Sequence, residues 1–303
     1  MQTTLRTTAQ FNGIGLHSGR PVRMSVRPAA ADHGIWFHRL DKAVRIPALW
    51  DRVAQVPLCT RLVGEGGVDV STIEHIMAAL AGCGIGNAEI ELDGPEVPIL
   101  DGSAAGFVRK FLDVGLQRLD TPVRAFEILR PVEVKAGLST AKLLPADGLE
   151  IDFTIEFPDP AIGRQRKVLD MGNGTFIREL CDSRTFCRQS DVDAMRAEGL
   201  ALGGSMDNAV VVDGASVLSP GGLRHADEAV RHKMLDALGD LATAGAPILG
   251  RYEGIRAGHA LTNALLRVLF ATPDAVRVVT CDRAQMRRLP GTGIAVDDLR
   301  LVA

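Results

Sequence analysis

Three short segments hold the residues best suited to chemistry. In Asp227-Glu228-Ala229-Val230-Arg231-His232-Lys233-Met234-Leu235-Asp236-Ala237-Leu238-Gly239-Asp240, the apolar positions Val230, Met234, Leu235 and Leu238 recur at helical spacing, and Leu241 continues them. Residues four apart share a helix face, so Glu228, His232, Asp236 and Asp240 form one stripe. An imidazole nitrogen and a carboxylate oxygen one turn apart can reach a common divalent ion. The same spacing also describes a solvated charged face with a local His–Asp bond. In Ser71-Thr72-Ile73-Glu74-His75-Ile76-Met77-Ala78-Ala79-Leu80, Ser71 and Glu74 have the spacing of a capping box, which leaves His75 as a partly exposed first-turn residue. Alternatively, Glu74 is a base beside a metal-binding His75 and accepts a proton from water. In Arg256-Ala257-Gly258-His259-Ala260-Leu261-Thr262-Asn263, a histidine sits on a glycine turn at a helix start, placed either to cap and pack or to act. His17, in Gly15-Leu16-His17-Ser18-Gly19, sits in a tight glycine turn and is a candidate cleft residue. His33 and His38 read as surface residues, and His225, beside Arg224, as solvated.

The elements that must position these groups repeat along the chain. Alternating, strand-like segments open each half, Pro21 to Pro28 and Leu149 to Phe157. A patterned helix follows in each, Ser71 to Ala81 and Asp227 to Ala242. Next come a glycine-rich turn and another strand-like run, Gly86 to Leu92 and Ile248 to Tyr252. A shorter helical stretch closes each half, Ala104 to Leu116 and Ala260 to Phe270. The boundary falls at Leu119-Asp120-Thr121-Pro122, before a new strand running from Phe126 to Val134. The expected fold is α+β: two similar two-layer sandwich domains, residues 1–121 and 122–303, derived from one duplicated unit. Each half carries an insert, Asp41 to Asp69 and Gly172 to Gly204, of a size that often serves function.

Composition narrows the function classes. The 303 residues carry 34 Lys plus Arg against 37 Asp plus Glu, a formal charge of −3, so no basic field exists to hold nucleic acid. Ten Phe, two Trp and one Tyr are also few for a base-stacking protein. The five cysteines are scattered without a Cys-x-x-Cys pair and read as reduced, mostly buried thiols. The amino terminus lacks a signal-peptide core, and no apolar run is long enough to span a bilayer. A chain that is cytoplasmic or at most peripheral, monomeric and without nucleic-acid partners is expected.

The segments taken together resemble the UDP-3-O-acyl-N-acetylglucosamine deacetylase family, the zinc amidases of lipid A biosynthesis. The resemblance runs in order through Gly13-Ile14-Gly15-Leu16-His17-Ser18-Gly19, the Ser71–Leu80 segment and Asp93-Gly94-Pro95-Glu96-Val97-Pro98-Ile99-Leu100-Asp101-Gly102-Ser103. It continues through Phe153-Thr154-Ile155-Glu156-Phe157, Ser183-Arg184-Thr185-Phe186 and Gly203-Gly204-Ser205. It closes with the Arg231–Leu241 segment and Gly258-His259-Ala260-Leu261. The resemblance implies one catalytic Zn2+, with Fe2+ as the alternative ion in the cell, held by His75, His232 and Asp236 between the two domains. It implies Glu74 as general base, His259 as its cationic partner or general acid, Asp240 as the carboxylate orienting that histidine, and Thr185 as an oxyanion donor. It implies Lys233, Phe186, Phe157 and Arg256 as substrate-binding residues. The implied reaction hydrolyses the N-acetyl group of UDP-3-O-(3-hydroxyacyl)-N-acetylglucosamine to acetate and the free amine, the committed step toward the lipid A of Gram-negative outer membranes.

By the same resemblance, the insert near 172–204 forms an apolar acyl passage, with Phe176, Ile177, Leu180, Met195 and Leu200 as its apolar residues, although ordinary helix packing accounts for them equally. Cys187 and Asp159 depart from the family pattern, where glycine and histidine are common. Three protein ligands with a base and an acid argue against a merely structural metal, which normally takes four. An amidohydrolase of the same fold acting on another N-acyl substrate shares all of the metal chemistry.

Overall fold

The computed structural model describes residues 1–56, 58–294 and 298. Its architecture is the expected α+β one, built on two sheets. The first has five strands in the order Ala9–Ile14, Pro21–Pro28, Ala88–Leu92, Ile35–Arg39, Val44–Pro47. Val22, Met24 and Val26 alternate inward along the second of these, as period-two patterning requires. The second sheet has seven strands. Five of them, Val132–Ala136, Ser139–Leu144, Ile248–Ile255, Leu149–Glu156 and Arg164–Asp170, repeat the order and directions of the first sheet. In each sheet the third and fourth strands of that order run parallel and the other neighbours antiparallel. Arg124–Ile128 and Val276–Thr280 extend the second sheet along the first residues of Ile248–Ile255. The run expected from Phe126 to Val134 is thus two strands, broken at Leu129-Arg130-Pro131, where proline cannot donate to a ladder.

The helices follow the same repeat. Helix α1 is Glu74–Gly82 and α2 is Ala105–Val114. In the second half, α3 (Gln189–Ala197) belongs to the insert, and α4 (Glu228–Ala242) and α5 (His259–Ala271) correspond to α1 and α2. Helix α2 buries Phe107, Val108 and Phe111, and the rings of Phe107 and Phe111 lie 5.2 and 6.0 Å from that of Phe11. Helix α5 buries Leu265, Leu266 and Leu269. Every residue of α1 except Ala81 is buried, so α1 is a core helix with another element on each side. One of those elements is α4. At Gly239 of α4, a Cβ would sit 2.0 Å from the carbonyl oxygen of Glu74, so only glycine permits the crossing at this distance.

The inserts build their own structure. The first contributes Val44–Pro47 to the five-stranded sheet and then forms a small sheet of Val53–Ala54, Arg61–Val63 and Asp69–Val70. The second contains a helical turn, Phe176–Leu180, then the strand Phe186–Arg188, then α3. All five cysteines are unpaired, as expected. Among the described residues, no helix is long and apolar enough to cross a membrane. The last residues of the 122–303 half, 299–303, lie outside the described residues.

Candidate metal centre and active site

Helices α1 and α4 bring the two richest segments together. Glu74, His75, His232, Asp236 and Asp240 are each only 3–4% exposed, which removes the solvated-face reading of the α4 stripe. The capping box does not form. Helix α1 begins at Glu74 with no side-chain cap, Thr72 adopts φ +58°, and Ser71 Oγ donates to Pro95 instead. The Glu74 carboxylate is turned inward, where its Oε2 accepts 2.9 Å from the Thr60 backbone N–H.

His75, His232 and Asp236 converge. Their ligand atoms lie within 4.8 Å of one another. Asp236 Oδ1 is 3.6 Å from His75 Nε2 and 3.3 Å from His232 Nε2, and the two imidazole planes stand at 84°. His232 Nδ1 donates to the Ser183 carbonyl at 3.0 Å, which commits that nitrogen to the proton and leaves the Nε2 lone pair facing Asp236 and His75. Asp236 Oδ2 accepts from Lys233 Nζ at 2.6 Å, whereas Oδ1 is buried without a hydrogen-bond partner. A buried acceptor left unmet costs about 1–3 kcal/mol, and a divalent ion would satisfy it together with the free Nε2 lone pair of His232. The two-nitrogen, one-oxygen donor set therefore fits a catalytic divalent ion with room for a further ligand. Burial drives the His232 pKa down to about 4, so that imidazole is neutral and ligand-ready at neutral pH. Burial opposes ionisation of Asp236, but the cations around it, His232 when protonated and Lys233, outweigh it and hold the carboxyl well below its usual range.

One turn further along α4, Asp240 takes up His259, the first residue of α5. His259 Nδ1 donates to Asp240 Oδ2 at 2.9 Å, and its Nε2 lies 4.0 Å from Glu74 Oε1. Burial alone would depress the His259 pKa, but the charges of Asp240 and Glu74 outweigh it and raise the value to about 9. Burial also raises the Glu74 carboxyl above its ordinary value, partly offset by His259 and His75. Glu74 and His259, a carboxyl and an imidazole with raised pKa values, thus face each other beside the candidate metal-ligand triad.

The remaining position of the stripe, Glu228, anchors the segment that carries Thr185. Its carboxylate accepts from Arg184 Nε at 2.9 Å and from the backbone N–H groups of Arg184 at 3.0 Å and Arg224 at 2.7 Å. That clamp holds Ser183, Arg184 and Thr185 against α4, so the carbonyl that orients His232 comes from the same short stretch as Thr185.

A cavity of about 850 Å³ opens onto this centre, reaching His232, Asp236, Thr185 and His259. Lys233, Phe157, Phe186 and Arg256 line it as well, and so does His17. The Phe157 and Phe186 rings meet edge-on at 5.3 Å, and Arg256 pairs with Glu156 at 2.5 Å. The apolar residues of the second insert divide. Met195 lines the cavity, while Phe176, Ile177 and Leu180 are core residues and Leu200 is exposed. Phe176 packs over Gly82 of α1, where a Cβ would meet its ring at 2.0 Å. His33 and His225, expected at the surface, are half-buried and paired with Glu89 and Asp182. Two residues at the centre were not singled out from the sequence. One is Ser183, whose role is carried by a backbone carbonyl that no side-chain pattern reveals. The other is Thr60, whose hydroxyl donates to Asp240 Oδ1 at 2.5 Å across 180 residues of sequence.

Known proteins share this arrangement of sequence. A family model described as LpxC: UDP-3-O-acyl N-acetylglycosamine deacetylase matches residues 2–271. A protein of Phenylobacterium zucineum (strain HLK1) named UDP-3-O-acyl-N-acetylglucosamine deacetylase is 51% identical over 282 residues, covering 92% of this chain and 96% of its own. Proteins of the same name from Shewanella halifaxensis (strain HAW-EB4) and Anaeromyxobacter sp. (strain Fw109-5) are 45% and 46% identical, covering 93% and 92% of this chain and 94% and 91% of their own.

Proposed function

The chain belongs to the UDP-3-O-acyl N-acetylglycosamine deacetylase family, and from that premise we propose how its own residues divide the work. The protein is a deacetylase of UDP-3-O-acyl-N-acetylglucosamine, a hydrolase acting on an amide bond in lipid A biosynthesis. It depends on a metal ion, and we assign His75, His232 and Asp236 as the ligands and Zn2+ as the ion, with Fe2+ as its substitute in the cell. Bound there, such an ion supplies Lewis acidity and lowers the pKa of water to about 7.

An amide resists hydrolysis because water is a weak nucleophile and an amine a poor leaving group. Glu74 meets the first difficulty. Its Oε1 faces His259 while Oε2 is held by Thr60, so the side chain is fixed where it can accept the proton of the attacking water. Thr185, at the cavity wall, donates its hydroxyl to the oxygen that becomes negative, a contribution of about 3–4 kcal/mol for one such donor. His259 meets the second difficulty. Asp240 keeps the ring cationic, and Nε2 gives its proton to the departing nitrogen. Acetate and the free amino sugar leave. Lys233, Phe157, Phe186 and Arg256 hold the substrate along the cavity, and the acyl chain lies toward Met195 of α3. We take residues 1–121 and 122–303 as the two domains that close on the centre, and the protein as a cytoplasmic monomer.

The observation that carries this assignment is the buried, unpartnered Oδ1 of Asp236 facing two imidazoles, with the Glu74–His259 pair beside it. The test is metal analysis of the purified protein paired with acetate release from UDP-3-O-acyl-N-acetylglucosamine substrates of graded acyl length. One equivalent of metal and turnover abolished by a chelator, then restored by Zn2+, is the expected result. Turnover that survives complete metal removal would overturn it.

A further inference from the structure

The first insert delivers one residue to the centre. Thr60 directly precedes the strand Arg61–Val63 of the small sheet and is 3% exposed. All three of its polar groups are committed. Its N–H donates to Glu74 Oε2 at 2.9 Å, its hydroxyl donates to Asp240 Oδ1 at 2.5 Å, and its carbonyl accepts from the Ile73 N–H at 3.3 Å. A buried hydroxyl is costly unless it is hydrogen-bonded, and here its partner is a carboxylate, the stronger kind of acceptor. Valine would fill the same volume without the hydroxyl, so packing alone does not call for threonine at this position.

We propose that Thr60 is a positioning residue that locks the proton acceptor Glu74 and the Asp240–His259 donor pair into one register. This rests on the roles given above to Glu74, Asp240 and His259. The reasoning is geometric. Glu74 belongs to α1 and Asp240 to α4, and the two helices meet through the bare Gly239 crossing. A small slide or rotation at that crossing would change the 4.0 Å separation of Glu74 Oε1 and His259 Nε2. Thr60 spans the crossing with one hydrogen bond to each carboxylate, and its third bond pins the start of α1. Asp240 Oδ1 accepts from Thr60, while Oδ2 takes the shorter of the two contacts from His259, so the hydroxyl fixes the rotation of the carboxylate that aims the imidazole.

The test is a double-mutant cycle on the metal-loaded enzyme, using Thr60→Val, Asp240→Asn and the pair together, with Thr60→Ser as the conservative variant. Thr60→Val should lower kcat by about 10–100-fold, the worth of a hydrogen bond to a charged group, with KM within about twofold and the bound metal retained. Thr60→Ser should stay within about threefold of wild type. The double variant should be little slower than Asp240→Asn alone, because the charge that the Thr60 hydroxyl orients toward His259 is already gone. If Thr60→Val does not accumulate as folded protein, the smaller Thr60→Ala takes its place in the cycle. Wild-type kcat in Thr60→Val beside a slow Asp240→Asn overturns the role of Thr60 and leaves the donor pair standing. Wild-type kcat in Asp240→Asn overturns the donor pair itself. Losses that multiply in the double variant, a loss of metal, or an equal loss in Thr60→Ser each show that Thr60 acts through stability rather than through Asp240.

Discussion

The two halves share a strand order but not a workload. Each runs a parallel strand pair through a crossover that carries an insert and a helix, the nine-residue α1 in the first half and the fifteen-residue α4 in the second. Helix α1 contributes two adjacent polar residues, Glu74 and His75, at its first turn, and beyond them it is apolar throughout. Helix α4 contributes a stripe along its whole length: Glu228 clamps Arg184, His232 and Asp236 face His75, and Asp240 holds His259. The closing helices differ in the same sense. Helix α5 begins with His259, whereas α2 begins with Ala105, a residue without a proton to offer. The two frames are thus similar in strand order, and the proposed chemistry lies at their contact, where neither frame holds the complete set. The inserts follow suit, the first sending Thr60 inward and the second Ser183 and Thr185.

The largest expected effects separate the helices' contributions. His232→Ala should lose both turnover and bound metal, because it removes a ligand from the stripe. Glu74→Gln, one residue from the α1 ligand, should keep its metal and lose about 10²–10⁴-fold in kcat. Metal analysis of the two variants side by side checks the division. Full metal in His232→Ala would break it, and so would near wild-type turnover in Glu74→Gln.

A second effect concerns the proton donor. In the proposed roles, activity needs Glu74 ionised and His259 protonated. The His259 pKa is raised to about 9, so the rate should hold through neutral pH and fall as pH rises through about 9. Glu74 is raised as well, so the acid limb should lie above the range of an ordinary carboxylate. Asp240→Asn removes the larger of the two charges that raise His259, and the basic limb should move to lower pH. A basic limb unmoved in that variant would assign it to another group.

The smallest expected effect probes the contact itself. Gly239→Ala places a methyl against the Glu74 carbonyl and should destabilise the protein by about 1–3 kcal/mol, as overpacking does. Gly86, in the turn after α1, has open space around it, and Gly86→Ala should stay within about 0.5 kcal/mol. Thermal or denaturant unfolding compares the two. Equal stabilities would mean that the helices readjust without strain.

Much of this centre was legible in the residues themselves. The His232, Asp236 and Asp240 stripe follows from a four-residue period on one helix, and local periodicity survives folding unchanged. The capping box failed for the converse reason. Ser71 and Glu74 have the right spacing, but Thr60 offers Glu74 a partner from fourteen residues away. Tertiary contacts outbid local ones wherever burial makes an unmet carboxylate expensive. Thr60 itself carries no pattern, since its hydroxyl contact spans half the chain. Phe176, Ile177 and Leu180 show the limit from the apolar side. Hydrophobicity announces burial but does not distinguish a core from a ligand passage, and these three went to the core.

The bare crossing at Gly239 also bears on the order of events during synthesis. His75 and Asp236 stand about 160 residues apart, so the proposed ligand set, two of whose members are neighbours on α4, is completed only by a contact between distant parts of the chain. Residues 1–121 carry a single ligand of the set, and the half that carries the other two is made last. On the proposed ligand set, a ribosome-bound first half holds one ligand of three. If that set holds the ion, loading would wait until α4 has emerged and packed its glycine over the start of α1, and uptake of the ion would be a late checkpoint on the docking of the two halves.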